Sequence, residues 1–142
     1  MKTSRAALLD VNVLIALLDR EHVFHNSAHS WFNRNRHSGW ATCPITENGC
    51  VRILSKAGLT TAVIRQVLAE LCSAKDHLFW PDSVSILNPN LVDLTSAGPR
   101  NFTDIYLLSL AVRNHGRLIT FDQSIPLHCV KGCSEKDVEV LS

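Results

Sequence analysis

The sequence predicts an α/β fold with a mainly parallel central sheet covered by helices on both faces, and three observations lead there. Short apolar runs of strand character alternate along the chain with longer stretches whose apolar residues recur at helical spacing. The strand-like runs are short and mainly apolar, as expected for strands buried on both faces. Two of them, Leu8-Leu9 and Leu118-Ile119-Thr120-Phe121, are followed at once by an acid, Asp10 and Asp122. In open α/β sheets the carboxyl ends of strands are where ligands sit.

Composition sets the frame. A chain of 142 residues with 46% hydrophobic residues can build a real core and fits one domain over residues 1–142. The net charge of +1 is no electrostatic footprint of nucleic-acid binding, so any such activity has to come from local sites. No apolar run approaches the roughly 20 residues of a membrane helix. The start from Met1 to Arg5 is basic, but the apolar run after it is broken by Asp10 and Asn12 and has no small-residue cleavage site, so it reads as core and not as a signal peptide. Five widely spaced cysteines, Cys43, Cys50, Cys72, Cys129 and Cys133, with no secretion signal predict reduced thiols and a cytoplasmic protein. His128-Cys129 with Cys133 suggests a metal corner, but a second ligand pair is missing.

The elements follow in order. Ala6 to Leu9 is a strand ending on Asp10. Asn12 is placed to cap a helix running to Asp19, with Val13, Leu14, Leu17 and Leu18 on its apolar face. After the polar break Asp19-Arg20-Glu21-His22, a helix from His25 to about Arg36 buries Ala28, Trp31 and Phe32. His22, His25 and His29 lie three and four apart and share a face if that helix starts early, which makes them a candidate metal group without a complete ligand set. Ser38-Gly39 ends the helix, Trp40 to Cys43 is a strand, and Pro44 suits the first turn of the next helix. That helix carries Glu47 in its opening turn and stops at Ala57-Gly58. Thr60 or Thr61 caps a helix through about Ser73 with a stripe of Val63, Ile64, Val67, Leu68 and Leu71. Leu78 to Trp80 and Val84 to Leu87 read as extended, and Asn88-Pro89 starts a short helix to about Leu94. After a loop from Ser96 to Asn101, Thr103 is placed to cap a helix from Asp104 to Asn114. Arg117 to Phe121 is a strand, and an edge strand near Val138 to Leu141 closes the chain.

Position filters the thirteen acidic residues. Most lie at polar helix ends or in polar segments. Asp10 and Asp122 each end a buried strand, and Glu47 and Asp104 each occupy the first turn of a helix, so all four point toward one edge of a parallel sheet. The helix dipole favours ionised Glu47 and Asp104 by roughly 0.3–1 kcal/mol each, yet four carboxylates repel unless a cation neutralises them. An all-oxygen set suits Mg²⁺ or Mn²⁺, and such a centre activates water for in-line attack on a phosphodiester. Asn12, Thr103 and Thr120 are placed to orient the acids or the water. Arg52, Lys56 and Arg100 are the candidates for holding phosphates.

These residues resemble a known family. Leu8-Leu9-Asp10-Val11-Asn12-Val13-Leu14, Thr46-Glu47, Thr103-Asp104-Ile105-Tyr106-Leu107-Leu108-Ser109-Leu110-Ala111 and Leu118-Ile119-Thr120-Phe121-Asp122 are similar to the four acidic motifs of PIN domains. The likeness covers nearly the whole chain and is nearest to VapC-type toxins, the ribonucleases of bacterial toxin–antitoxin pairs. It implies a three-layer α/β/α fold and Mg²⁺- or Mn²⁺-dependent cleavage of structured RNA. It also implies a homodimer and a small antitoxin that blocks the site. By the same likeness Asp10, Glu47, Asp104 and Asp122 are the catalytic, metal-holding acids, with Asn12 and Thr103 beside them.

Two other classes match the sequence less fully. Asp10-Val11-Asn12 superficially resembles the start of an aspartyl-nucleophile phosphoryl-transfer site, but that chemistry expects an aspartate where Asn12 stands and a lysine late in the core, and the next lysine after Lys75 is Lys131, beyond Asp122. A non-catalytic RNA- or protein-binding module on the same fold is the other alternative.

Overall fold

The computed structural model describes residues 5–142; Met1 to Ser4, most of the basic start noted above, lie outside them. Five parallel strands form the sheet in the order β3-β2-β1-β4-β5. They are β1 (Ala7–Leu9), β2 (Trp40–Thr42), β3 (His77–Phe79), β4 (Arg117–Thr120) and β5 (Val138–Val140). The helices are α1 (Val11–Leu18), α2 (His25–Asn35), α3 (Pro44–Lys56), α4 (Thr61–Cys72) and α5 (Phe102–Arg113). β1 lies at the centre, with Leu8 paired to Ala41 on one side and Leu118 on the other. No helix among the described residues is long and apolar enough to cross a membrane.

Strand alternation divides the core into two layers. Ala7, Leu9, Trp40 and Ile119 point to one face, where α1 to α3 and Ile64 of α4 cover them. Leu8, Ala41 and Leu118 point to the other, under Ile105, Leu107, Leu108 and Ala111 of α5 and the loops at Trp80, Val92 and Ile125. The result is the expected three-layer α/β/α arrangement with an all-parallel sheet. Each fully buried Leu or Ile contributes about 1.5–3 kcal/mol, and β1 with its two neighbours holds four of them at no measurable exposure, Leu8, Leu9, Leu118 and Ile119. The site therefore stands on the most buried part of the sheet.

Polar pairs pin the two edges. Arg36 makes two hydrogen bonds to Asp76, at 2.9 and 3.2 Å, and Asp76 also accepts from the Trp40 indole at 2.9 Å, fastening the approach to β3. Glu139 on β5 pairs with Arg117 and accepts from the Trp31 indole at 2.9 Å. These acids, set aside in the sequence as surface groups, hold the architecture. Two glycines mark close approaches: a Cβ at Gly116 would lie 2.6 Å from the Ala6 carbonyl oxygen, and one at Gly49 would lie 2.8 Å from Val11 Cγ2, where α3 crosses α1 beside Asp10.

Several elements depart from the sequence reading. Residues 84–87 form no strand, and the stretch expected to be helical from Asn88 to Leu94 consists of turns with one antiparallel bridge, Val92 to Val130. Asn88 and Asp93 satisfy nearby backbone N–H groups with their own side chains, at Asn90 and Thr95, which favours turns over a helix. α5 begins two residues before Asp104, and its cap position is Asn101, whose side chain accepts from Gly98 instead.

Candidate active site

Asp10 follows β1 and caps α1, a role the sequence reading gave to Asn12. One carboxylate oxygen accepts from the Val11 N–H at 2.7 Å and the other from the Thr120 hydroxyl at 2.7 Å. An aspartate at the cap satisfies a free N–H of the first turn and meets the helix dipole with a full negative charge, which leaves Asn12 free for another task. Asn12, the second residue of α1, ties the helix to the end of β4: its amide donates to Thr120 Oγ1 at 3.4 Å and its carbonyl accepts from the Phe121 N–H at 3.3 Å. Asp10 is only 7% exposed. Burial raises its carboxyl above the usual range, against the hydrogen bonds from Thr120 and Val11, and the charge of Asp122 pushes the same way as burial.

Asp122 follows β4 and is held from both sides. Its backbone N–H donates to Thr120 Oγ1 at 3.0 Å, and its carboxylate accepts from the Ser124 hydroxyl at 2.7 Å and the Ser124 N–H at 2.8 Å. Those bonds from Ser124 hold its carboxyl below the ordinary value. Asp104 stands in the first turn of α5, on the opposite face of the sheet from α1. Burial, then the charges of Asp10 and Asp122, push its carboxyl up to about 7. Among the described residues no Arg, Lys or His comes within ion-pair distance of any of these three acids. The donor set is all oxygen, partly desolvated and short of positive charge, and it fits a hard divalent cation. Thr103, expected as a cap, is an exposed residue within the helix.

Glu47 stands apart from the three aspartates. It lies in the first turn of α3 and accepts from the Thr42 hydroxyl at 2.7 Å. The same hydroxyl meets His77 Nε2 at 2.8 Å. Ligand atoms of Glu47, Cys72 and His77 all lie within 4.8 Å of one another. The charges that disturb Asp104 are those of Asp10 and Asp122, and Glu47 is not among them. Thr42, Cys72 and His77 escaped the sequence reading. Cys72 ends α4 and His77 begins β3, and the only local signal was a cysteine and a histidine on either side of one short connection.

The remaining candidates have other occupations. A His25 ring nitrogen meets the Ala16 carbonyl at 2.7 Å and one of His29 meets the Leu17 carbonyl at 3.3 Å, so both rings cap the open C-terminal end of α1. His22 Nδ1 accepts from the Phe24 N–H at 3.0 Å. His128 pairs with Ser96 at 2.8 Å and Cys129 is buried. Arg52 and Lys56 are exposed on α3, and Arg100 is exposed in the loop before α5. A shallow cavity opens beside Asp122 between Ile125, Leu127, Val138 and Val140, with Glu135 at its rim.

Comparison with known proteins shows the family. The family model described as "PIN domain" matches residues 7–128. The chain is 44% identical over 140 residues to Ribonuclease VapC44 of Mycobacterium tuberculosis, covering 95% of this chain and 99% of that protein. It is 44% identical over 125 residues to Ribonuclease VapC39 of the same organism, covering 84% of this chain and 90% of that protein. Ribonuclease VapC29 is 39% identical over 118 residues, covering 83% of this chain and 86% of that protein.

Proposed function

We propose, for a chain that belongs to the PIN-domain family and within it to the VapC-type ribonucleases, an Mg²⁺- or Mn²⁺-dependent cut of RNA phosphodiester bonds centred on Asp10, Asp104 and Asp122. The protein is an endoribonuclease toxin. The observation that carries the metal reading is the gathering of three aspartates with no basic side chain in ion-pair range among the described residues: burial, then the charges of Asp10 and Asp122, push Asp104 up to about 7, and a divalent cation relieves that repulsion.

Asp10, Asp104 and Asp122 would hold the cation, which when bound supplies Lewis-acid stabilisation of the phosphate and lowers the pKa of an attacking water. Thr120 fixes Asp10 through a 2.7 Å hydrogen bond and receives the Asp122 N–H, so one hydroxyl sets the spacing of two acids. Asn12 locks the helix that Asp10 caps to the strand that ends at Asp122. Because burial and its neighbours raise the Asp104 carboxyl, holding a cation there would release its proton to solvent. Glu47, the fourth acid that the family likeness assigns, enters from the neighbouring strand end where Thr42 holds it, and its contribution is supplementary. Arg52, Lys56 and Arg100, all exposed, contact the RNA backbone. A small antitoxin protein, a second copy of the chain in a homodimer, and a structured RNA substrate complete the partners. The protein works in the cytoplasm as one domain.

The test is cleavage of structured RNA by purified protein with Mg²⁺ or Mn²⁺. Excess chelator abolishes cleavage, and Asp10→Asn or Asp104→Asn lowers it by more than roughly 100-fold, the upper end of what loss of an outer-shell partner costs a metal site. Circular dichroism of both variants stays like that of the parent. Cleavage that continues in chelator, or that survives both substitutions, overturns the mechanism; RNA binding without any cut favours a non-catalytic module.

A further inference from the structure

We propose that Phe24 and Phe121, with His22 beside them, form a stacking platform for an unpaired nucleobase next to the cut bond of the RNA; this rests on the ribonuclease reading above and adds what the site grips. Phe121 stands between Thr120 and Asp122 in the chain, and the Asn12 side chain holds its main-chain N–H at 3.3 Å. Its ring packs partly buried against the core layer beneath α1 and α2. There it stacks on Phe24, with ring centroids 4.6 Å apart and planes inclined by 16°. His22 extends the row, its ring 6.0 Å from that of Phe24 and tilted by 41°. The row ends one residue short of Asp122.

The turn between α1 and α2 fixes the row in place. The Asp19 carboxylate accepts from the Glu21 N–H, the Asp19 carbonyl from the His22 N–H, and His22 Nδ1 from the Phe24 N–H, each at 3.0 Å. The Phe24 carbonyl then accepts from the Ala28 N–H at 2.9 Å, within the first turn of α2. A side chain on so tightly bonded a turn has little freedom left to lose on binding. The ring is nevertheless left in water: Phe24 keeps 38% of its surface exposed, and Val23 beside it keeps 84%.

Charge decides which part of an RNA this surface holds. The segment from Asp19 to Phe24 carries two acids, Asp19 and Glu21, against one base, Arg20. It does not attract phosphates. An aromatic face takes any base, and RNA loops and ends are commonly held by splayed bases stacked on Phe, Tyr, Trp or His. The net charge of the whole chain is only +1, so phosphate attraction supplies little affinity and stacking has the larger share. An RNA whose scissile phosphate lies at Asp10, Asp104 and Asp122 carries its adjoining nucleotides past the strand end that bears Phe121. A duplex keeps its bases stacked on one another, so the platform selects single-stranded loops or ends.

The test uses full-length protein in the Asp104→Asn background, in which RNA is expected to stay whole, with Mg²⁺ and a short single-stranded RNA carrying 5-iodouridine. Long-wave irradiation joins this base to an aromatic ring stacked on it. The crosslink is expected on the peptide that holds His22 and Phe24 or on the one that holds Phe121. In titrations with the unmodified RNA, Phe24→Ala should bind roughly tenfold more weakly, within the range of about 5- to 150-fold that one base on one ring supplies. Phe24→Tyr should keep the affinity. Phe24→Leu still packs on Phe121 but has no aromatic face, and should bind like Phe24→Ala. Circular dichroism checks the fold of each variant. Crosslinks confined to other peptides, or Phe24→Leu binding as tightly as Phe24→Tyr, overturn the platform. So does a Phe24→Ala protein that binds RNA normally but loses self-association or antitoxin capture, which would give the surface to a protein partner. Cleavage by the parent protein is read separately: an inactive parent counts against the ribonuclease reading, and the crosslinks and affinities decide the platform.

Discussion

Two strand ends in this protein carry the same device and stand in different surroundings. At the end of β4, buried Thr120 donates to Asp10 at 2.7 Å; at the end of β2, buried Thr42 donates to Glu47 at 2.7 Å. Around Thr120 the other groups are oxygen: Asp122 beside it in the chain and Asp104 from α5 on the far face of the sheet. Around Thr42 they are a thiol and an imidazole, brought by the end of α4 and the start of β3. The parallel sheet delivers a carboxylate and its threonine to the same edge in both places. What differs is the next element in the strand order, and that decides whether the carboxylate meets other acids or a thiol and an imidazole.

Substituting the two threonines breaks the comparison most directly. Thr120→Val keeps the shape, removes the donor to Asp10, and removes the acceptor for Asn12 and the Asp122 N–H. Its expected cost to metal-dependent RNA cleavage is about 10–100-fold, the usual cost of losing an outer-shell partner. Leaving a nearly buried carboxylate oxygen without its partner also costs stability, about 1–3 kcal/mol by denaturant unfolding. Thr42→Val removes the partner of half-buried Glu47 and should cost cleavage less, roughly tenfold or below, with a stability loss of about 0.5–1.5 kcal/mol. If Thr42→Val proves the more damaging to cleavage, Glu47 and not Asp10 anchors the chemistry, and the division into two clusters is wrong.

The sequence was most informative where one local rule decides position. Asp10 and Asp122 were legible because each directly follows a run of buried strand residues, and Asp104 because a first-turn acid before Ile105 and Leu108 has a fixed direction once its helix covers the sheet. Caps were less legible. Asn12 and Asp10 are both good capping residues, and the choice between them rests on Thr120, more than one hundred residues away. The stretch after Asn88 misled because asparagine and aspartate offer backbone N–H groups a local partner that competes with a helix. The Glu47, Cys72 and His77 group was illegible for a different reason. Its members sit on three elements with no shared period, and only the placement of β3 beside β2 brings them together.

The smallest expected effect concerns the charge state of the aspartate cluster in the absence of metal. Asp104 is held up to about 7 by burial and by Asp10 and Asp122, against about 3.9 in an unfolded chain. Between those values the folded protein binds more protons than the unfolded one, so this group's effect on stability becomes unfavourable as pH rises from about 4 to 7 and is constant above. Asp104→Asn removes the penalty. In metal-free buffer the variant should therefore be more stable than the parent at pH 8, with the advantage shrinking toward pH 5. Because Asp104 is half-buried, solvent screening limits the difference to about 1 kcal/mol, or roughly 2–4 °C in melting temperature for a chain of this size. Saturating Mg²⁺ should stabilise the parent selectively and close the gap. An advantage of equal size at pH 5 and pH 8 would mean that the Asp104 carboxyl is not raised by its surroundings, and it would remove the charge argument that separates the aspartate cluster from the Glu47 group.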